Sequence, residues 1–254
     1  MTGDAGDGGD GGDGGARGGG THVAPHVAPD WTTHAEPAPP RARMRALSRP
    51  LLAGFAALVL LVGFAALAGL VLAGDPHALD LAAIEAAQSL RASHPTFARA
   101  MTDASALGST TVLTLVVVLA VGHLVLSGHR LLGLVVAVSA LGGSTLVTAL
   151  KVAVGRVRPD SRLAGAVVDG LSFPSGHATM SAAIYLTLGA LIASTRARRR
   201  EQAWVLGGAA AIAALVGASR VALGVHWPTD VLAGWAFGAA WAIAWLWIAR
   251  SVIR

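Results

Sequence analysis

Six apolar blocks, each near the ~20 residues a helix needs to cross the hydrocarbon layer of a bilayer, constrain this chain more than any other feature. They run from about Leu51 to Ala73, Ser109 to Leu126, Leu131 to Val152, Ala178 to Ala193, Trp204 to Leu223 and Val231 to Ile248. Composition agrees: 13% of residues are charged and 54% hydrophobic, against roughly 25% charged in soluble domains. The predicted fold is all-α, a bundle of six transmembrane helices. Small residues inside the blocks, as in Gly142-Gly143-Ser144-Thr145, permit close helix packing and need no chemical role. With no cysteine in the chain, disulfides, thiolate nucleophiles and thiolate metal sites are excluded.

The net charge of +5 is distributed as a topology signal, not as a nucleic-acid-binding face. Arg41, Arg43, Arg45 and Arg49 precede the first block, and His129-Arg130 follows the second. Arg196, Arg198, Arg199 and Arg200 follow the fourth, and Arg250 and Arg254 the sixth. Positive residues mark the cytoplasmic side, so both termini are expected there. Residues 1–45, rich in Gly-Asp pairs and carrying a repeated His-Val-Ala-Pro, are expected to form a disordered tail, leaving 46–254 as the folded domain. The first apolar block is too long for a secretory leader and is expected to stay in the membrane.

Three loops then fall outside: about 74–108, 153–177 and 224–230. In the first, Asp75-Pro76 reads as a helix start, and Leu79, Leu81, Ile84 and Leu90 as the apolar stripe of an amphipathic helix outside the bilayer. The other two loops break the charge rule. They hold Arg156, Arg158, Arg162 and His226, with Lys151 and Arg220 at their edges. Cations kept on the translocated face suggest that something anionic is held there.

The chemistry-bearing residues sit at these edges. Lys151 and Arg158 are seven apart, two helical turns, which puts both on one face of a helix that Pro159 would end. Arg158 can grip two oxygens of a phosphoryl group as a fork, with Lys151 as a point charge. Pro174-Ser175-Gly176-His177 stands before the fourth block. If a helix starts there, its free N–H groups attract anions, with Ser175 to cap or donate and Gly176 to let the backbone come close. An arginine late in a span, Arg220, needs a partner. Asp230, four residues after His226, can accept Nδ1–H and leave Nε2 free, or can simply cap the sixth helix. Together these residues make a phosphoryl-transfer site. The chain has no carboxylate cluster suited to Mg²⁺ and no Walker loop.

Lys151-x6-Arg158-Pro159, Pro174-Ser175-Gly176-His177 and Ser219-Arg220-x5-His226-x3-Asp230 resemble, in order and spacing, the three signature motifs of the type 2 phosphatidic acid phosphatase (PAP2) family. The resemblance covers about residues 50–254. It implies the family's six-helix membrane fold and metal-free hydrolysis of lipid phosphate esters or diphosphates. It also implies that His226 is the nucleophile that forms a phosphohistidine, that Asp230 orients it and that His177 protonates the leaving oxygen. Lys151, Arg158, Ser175, Gly176 and Arg220 would bind the phosphoryl group. The family's haloperoxidases are soluble, which this chain is not.

The expected protein is therefore a multi-pass phosphatase of the bacterial cytoplasmic membrane with its site on the outer face. No cofactor, metal, nucleic acid or obligate protein partner is expected; the partners are the bilayer and a lipid phosphate. Undecaprenyl diphosphate is preferred as substrate, with phosphatidate and phosphatidylglycerol phosphate open. A phosphotransferase that hands the group to a lipid or sugar hydroxyl is one alternative, and a non-catalytic transporter or binder is another. Rate is expected to be bell-shaped in pH, with His226 uncharged and His177 charged.

Overall fold

The computed structural model describes residues 40–74, 78–160, 162–164 and 168–252, with side chains from Pro50 through Ser251. The chain divides into two units, Met1–Arg43 and Met44–Arg254. Of the first, only the helical backbone from Pro40 to Arg43 is described. The disordered tail expected over 1–45 lies, up to residue 39, outside the described residues. From Pro40 on the backbone is helix, because Pro suits a first turn and the Arg/Ala/Met/Leu run that follows is strongly helix-forming.

Among the described residues the structure is entirely helical. The elements are α1 (Pro40–Leu72), α2 (Ala78–Ser93), α3 (Pro95–Ala106), α4 (Thr110–Leu126), α5 (Arg130–Val154), α6 (Gly176–Ser194), α7 (Arg199–Ala222) and α8 (Pro228–Val252). Six stretches are long and apolar enough to cross a membrane: Pro50–Leu72, Pro95–Leu126, Arg130–Val154, Gly176–Ser194, Arg199–Ala222 and Pro228–Ser251. They match the six apolar blocks, the second starting earlier, at Pro95 and not near Ser109, so that it takes in α3, while the other ends shift by a few residues.

Helix α6 is the packing centre, lying against both α7 and α8. Small residues set the α6–α8 separation. A Cβ on Gly238 would lie 2.3 Å from the Thr179 carbonyl oxygen and 2.9 Å from the Ala182 Cβ, so only glycine fits. Gly142 and Gly143 lie against the Trp241 ring, where a Cβ on Gly143 would be tight at 3.1 Å from Nε1 and one on Gly142 would make ordinary contact. Helix α1 keeps most large side chains outward, Leu51, Leu52 and Phe55 among them. Its inner contacts run through Phe64, whose ring packs at a tilt against Phe173 and Phe237.

The loop expected at about 74–108 departs from expectation. It is two helices, because Pro95 at the start of α3 cannot continue α2. Asp75-Pro76 lies outside the described residues. The inner face of α2 is not the expected leucine stripe: Asp80, Ile84 and Ala87 are buried, whereas Leu79 and Leu90 are exposed. A buried ion pair, described below, outranks leucine burial in setting the rotation of this helix.

Candidate active site

Helix α5 ends at Val154 because Gly155 adopts the left-handed conformation, φ 67°. Lys151 is therefore helical while Arg158 lies beyond the helix in an extended segment. The expectation that both share one helix face is corrected: they converge across a turn, and Gly155, not Pro159, stops the helix. Lys151 Nζ donates to the carbonyls of Leu171 (2.6 Å) and Ser172 (3.3 Å). Arg158 donates from Nε to Gly170 O (3.0 Å) and from Nη1 to Val225 O (2.7 Å).

The loop leading into α6 is pinned from both sides. Phe173, fully buried, packs with Val71 and Ala233. The Ser172 N–H donates to Arg156 O (2.8 Å) and the Ser175 N–H to Asp230 O (3.1 Å). Ser175 is the N-cap of α6, its hydroxyl accepting from Ala178 N–H at 3.5 Å. That hydroxyl is wholly buried. Gly176 and His177 form the first turn of α6, both half-buried.

Helix α7 delivers the third group. Its C-terminus closes as a Schellman turn: Val225 N–H donates to Arg220 O (3.1 Å) and Gly224 N–H to Val221 O (2.8 Å). Gly224 sits at φ +71°, where a Cβ would lie 2.7 Å from Leu163 O. This turn places His226 just ahead of Pro228, which opens α8. Asp230, on the first turn of α8, accepts from Trp227 N–H (2.9 Å) and from His226 Nδ1 (3.2 Å) with the same oxygen, Oδ2. The capping and the orienting readings of Asp230 are thus both realised, by one atom.

The tautomer of His226 follows from its neighbours. Arg158 Nη1 lies 3.0 Å from Nε2. A guanidinium can only donate, so Nε2 carries the lone pair and Nδ1 the proton. Burial pushes this imidazole down to about 3, against the pull of its hydrogen bond to Asp230 and of the Asp230 charge, so it is neutral at ordinary pH. Burial also draws Arg158 below its ordinary value, while Asp230 and Asp169 work the other way.

Arg220 is buried and donates from Nη1 to Ser105 Oγ at 2.5 Å; among the described residues its Nε has no partner. The fields of Arg158 and Lys151 reach both His177 and His226, and that of Arg220 reaches His177. The eight residues singled out from sequence therefore gather at one end of the bundle. A cavity of about 790 Å³ leads away from them. Gly176 and His177 line it together with apolar side chains of α4, α5 and α6, such as Leu113, Val117, Val147 and Ile184.

Ser172, Asp80 and Ser105 escaped the sequence reading as members of this site, and Arg156, read there only as one of the cations kept for an anion, turns out to be held by two carboxylates of the protein. Ser172 donates to Asp230 Oδ2 at 2.5 Å. Arg156 donates to Asp230 Oδ1 at 2.7 Å and to Asp80 Oδ2 at 2.8 Å. Ser105, on α3, holds Arg220. Arg156 and Ser172 flank recognised motifs and were within reach of sequence reasoning. Asp80 had one available signal, a carboxylate on the inner face of an alanine-rich helix, and Ser105 had none. Among the described residues no group of three or more His, Cys, Asp or Glu stands close enough to hold a metal ion.

Comparison with known proteins agrees with this geometry. Residues 130–254 match the sequence profile of the PAP2 superfamily. The chain is 39% identical over 93 residues to phosphatidylglycerophosphatase B of Bacillus subtilis, a stretch covering 35% of this chain and 44% of that protein. It is 44% identical over 68 residues to an undecaprenyl-diphosphatase of Sulfolobus acidocaldarius, covering 27% and 29%. It is also 37% identical over 103 residues to a lipid A 1-phosphatase of Rhizobium johnstonii, covering 37% and 38%. The matched stretches span less than half the length of each of these relatives. The fold aligns with the crystal structure of a transmembrane PAP2-type phosphatidylglycerolphosphate phosphatase from Bacillus subtilis. The TM-score is 0.69 at 29% identity, covering 78% of this chain and 97% of that one. Residues 130–254 thus carry the sequence of the PAP2 superfamily, and the fold over most of the chain is that of a transmembrane PAP2-type phosphatase.

Proposed function

We propose that this chain is an integral membrane phosphatase that hydrolyses the phosphoester or diphosphate of a lipid through a phosphohistidine on His226. The observation that carries the reading is the state of that imidazole. Nδ1–H is turned to Asp230, Nε2 holds its lone pair beside Arg158, and burial keeps the ring neutral.

In the proposed reaction, Lys151, Arg158 and Arg220 gather the phosphoryl oxygens, with the free Nε of Arg220 and the N–H groups at the start of α6 as further donors. Nε2 of His226 attacks phosphorus in line, the bond to the leaving oxygen breaks, and His177 supplies that oxygen with its proton. The Nδ1 proton stays on the ring, and Asp230 stabilises the positive charge that develops there. Water then attacks phosphorus, giving its proton to His177; the N–P bond breaks and inorganic phosphate leaves. Ser175 contributes by capping α6, which leaves the Gly176 N–H to face the anion.

The substrate is proposed to be a lipid because the apolar cavity reaches His177, so a hydrocarbon tail can lie between helices while its phosphate meets the cations. Undecaprenyl diphosphate is the preferred substrate, and a relative bears the name of that activity. Phosphatidylglycerol phosphate and phosphatidate are the next to test. The arginine distribution supports cytoplasmic termini and a site on the outer face of the cytoplasmic membrane, with residues 1–45 as a tail and 46–254 as the catalytic domain.

Purified protein in detergent, incubated with ³²P-labelled lipid phosphates and quenched in alkali, tests the reading. Label that survives alkali, is lost in acid and maps to His226 is expected. Equal turnover by wild type and His226→Ala would refute it.

A further inference from the structure

Asp80 is outside all three recognised motifs and outside the membrane-spanning helices, on α2, yet it is 1% exposed. A carboxylate taken out of water needs its charge answered and its lone pairs filled. Here every partner belongs to the catalytic end. Arg156 Nη2 donates to Oδ2 at 2.8 Å, the Thr229 hydroxyl to the same oxygen at 2.7 Å, and the Thr229 N–H to Oδ1 at 3.1 Å. The other arm of the Arg156 fork, Nη1, donates to Thr229 Oγ1 at 2.6 Å and to Asp230 Oδ1 at 2.7 Å. Its guanidinium also lies over the Trp227 ring, 5.5 Å from the centroid.

Two consequences follow for the group that faces His226. Arg156 occupies Oδ1 of Asp230, so the carboxylate cannot turn about its own axis, and Oδ2 alone is presented to the imidazole. The second is electrostatic. An arginine paired to Asp230 by itself would cancel the charge that must stabilise the imidazolium. One guanidinium between two carboxylates instead leaves the buried cluster with a net negative charge beside His226.

We propose that Asp80 is a positioning residue for the reaction at His226: through Arg156 it locks the Asp230 carboxylate in direction and preserves its negative charge. The helix between the first two spans is thereby part of the catalytic machinery and not a connector. This inference rests on the phosphohistidine reading above.

The test is steady-state kinetics of Asp80→Asn, Asp80→Glu, His226→Ala and the exposed control Glu85→Gln, on dioleoyl phosphatidate and on a polyprenyl diphosphate in mixed micelles. Each rate is normalised to folded, monodisperse protein. Asp80→Asn keeps shape and loses charge, so kcat is expected to fall roughly tenfold to a hundredfold, the scale seen when a partner one step behind a reacting group is removed. KM should stay within about threefold, because the phosphate-binding cations are untouched. Asp80→Glu restores the charge and should recover part of the lost kcat, with Glu85→Gln like wild type. A normal kcat in Asp80→Asn, a loss confined to KM, or no recovery in Asp80→Glu would overturn the proposal while leaving the role of His226 intact. Full activity in His226→Ala would instead sink the underlying reading, and the proposal with it.

Discussion

Arg158 Nη1 stands 3.0 Å from Nε2 of His226, on the very lone pair that the proposed chemistry uses. The contact shows which nitrogen is unprotonated, and it makes Arg158 a placeholder: an arriving phosphoryl group must take over this N–H before phosphorus can approach the ring. Arg158→Lys keeps a charge but loses the fork that holds Gly170 O, Val225 O and the ligand together. A drop of roughly 10²- to 10³-fold in kcat/KM is expected, the usual cost of removing a transition-state donor. Titration with vanadate should show weaker binding in parallel; unchanged vanadate affinity would separate Arg158 from the phosphoryl site.

Asp230→Asn should cost more than any single cation. It removes the acceptor of Nδ1–H, so the wrong tautomer becomes available, and a loss of roughly 10³- to 10⁴-fold in kcat is expected. It also takes the charge from one of the two carboxylates on Arg156, whose pairing with Asp80 remains, so the stability cost should be that of one charged hydrogen bond, about 1.5–3 kcal/mol. A lowered unfolding midpoint in detergent, together with the lost rate, checks both parts.

The pH profile can be worked out from His226. Its folded value is about 3, below the ~6.5 of a free histidine, because burial opposes the charged form. The folded protein therefore binds fewer protons than the unfolded chain between those limits. Stability tied to the neutral ring is complete above pH ~6.5 and is lost as pH falls toward 3, at no more than about 1.4 kcal/mol per pH unit. His226→Gln should flatten that part of the acid dependence in thermal melts. For catalysis the expected bell loses its acid limb in this range: kcat/KM should not fall from pH 7 to 5 through protonation of His226. An acid limb centred near 6.5 would contradict the neutral nucleophile.

Chelation should leave turnover unchanged. Both buried carboxylates near the histidines, Asp80 and Asp230, are already committed to Arg156. Activity in excess EDTA is the measurement, and a collapse restored by Mg²⁺ would overturn metal-free transfer.

Much of this was legible in the chain because membrane spans and motif residues are local signals. Apolar length marks a span, and Pro-Ser-Gly-His before such a span announces a helix start. What escaped is what depends on rotation and on distance in space. Lys151 and Arg158 look like helical neighbours by count, but Gly155 in the left-handed region separates them. The leucines of α2 suggest one inner face, and the pairing of Asp80 with Arg156, 76 residues away, selects another. No local pattern in the segment holding Ser105 hints at Arg220, 115 residues further on.

Gly238→Ala tests the packing that carries the site. Its new methyl would collide with the Thr179 carbonyl, and such overpacking costs typically 1–3 kcal/mol. Because α6 carries His177 and α8 carries Asp230, activity should fall with the unfolding midpoint; wild-type behaviour in both would mean that the helices can separate freely.

The double use of one oxygen of Asp230 has a kinetic consequence. The atom that accepts the hydrogen bond from the imidazole is also the acceptor for the Trp227 amide at the head of α8, so main chain, together with the Arg156 fork on Oδ1, fixes its aim. When positive charge builds on the ring, nothing has to reorient to meet it, and the barrier carries no term for rearranging this part of the surroundings. The start of a helix, which any membrane span must have, supplies that readiness as a by-product of folding.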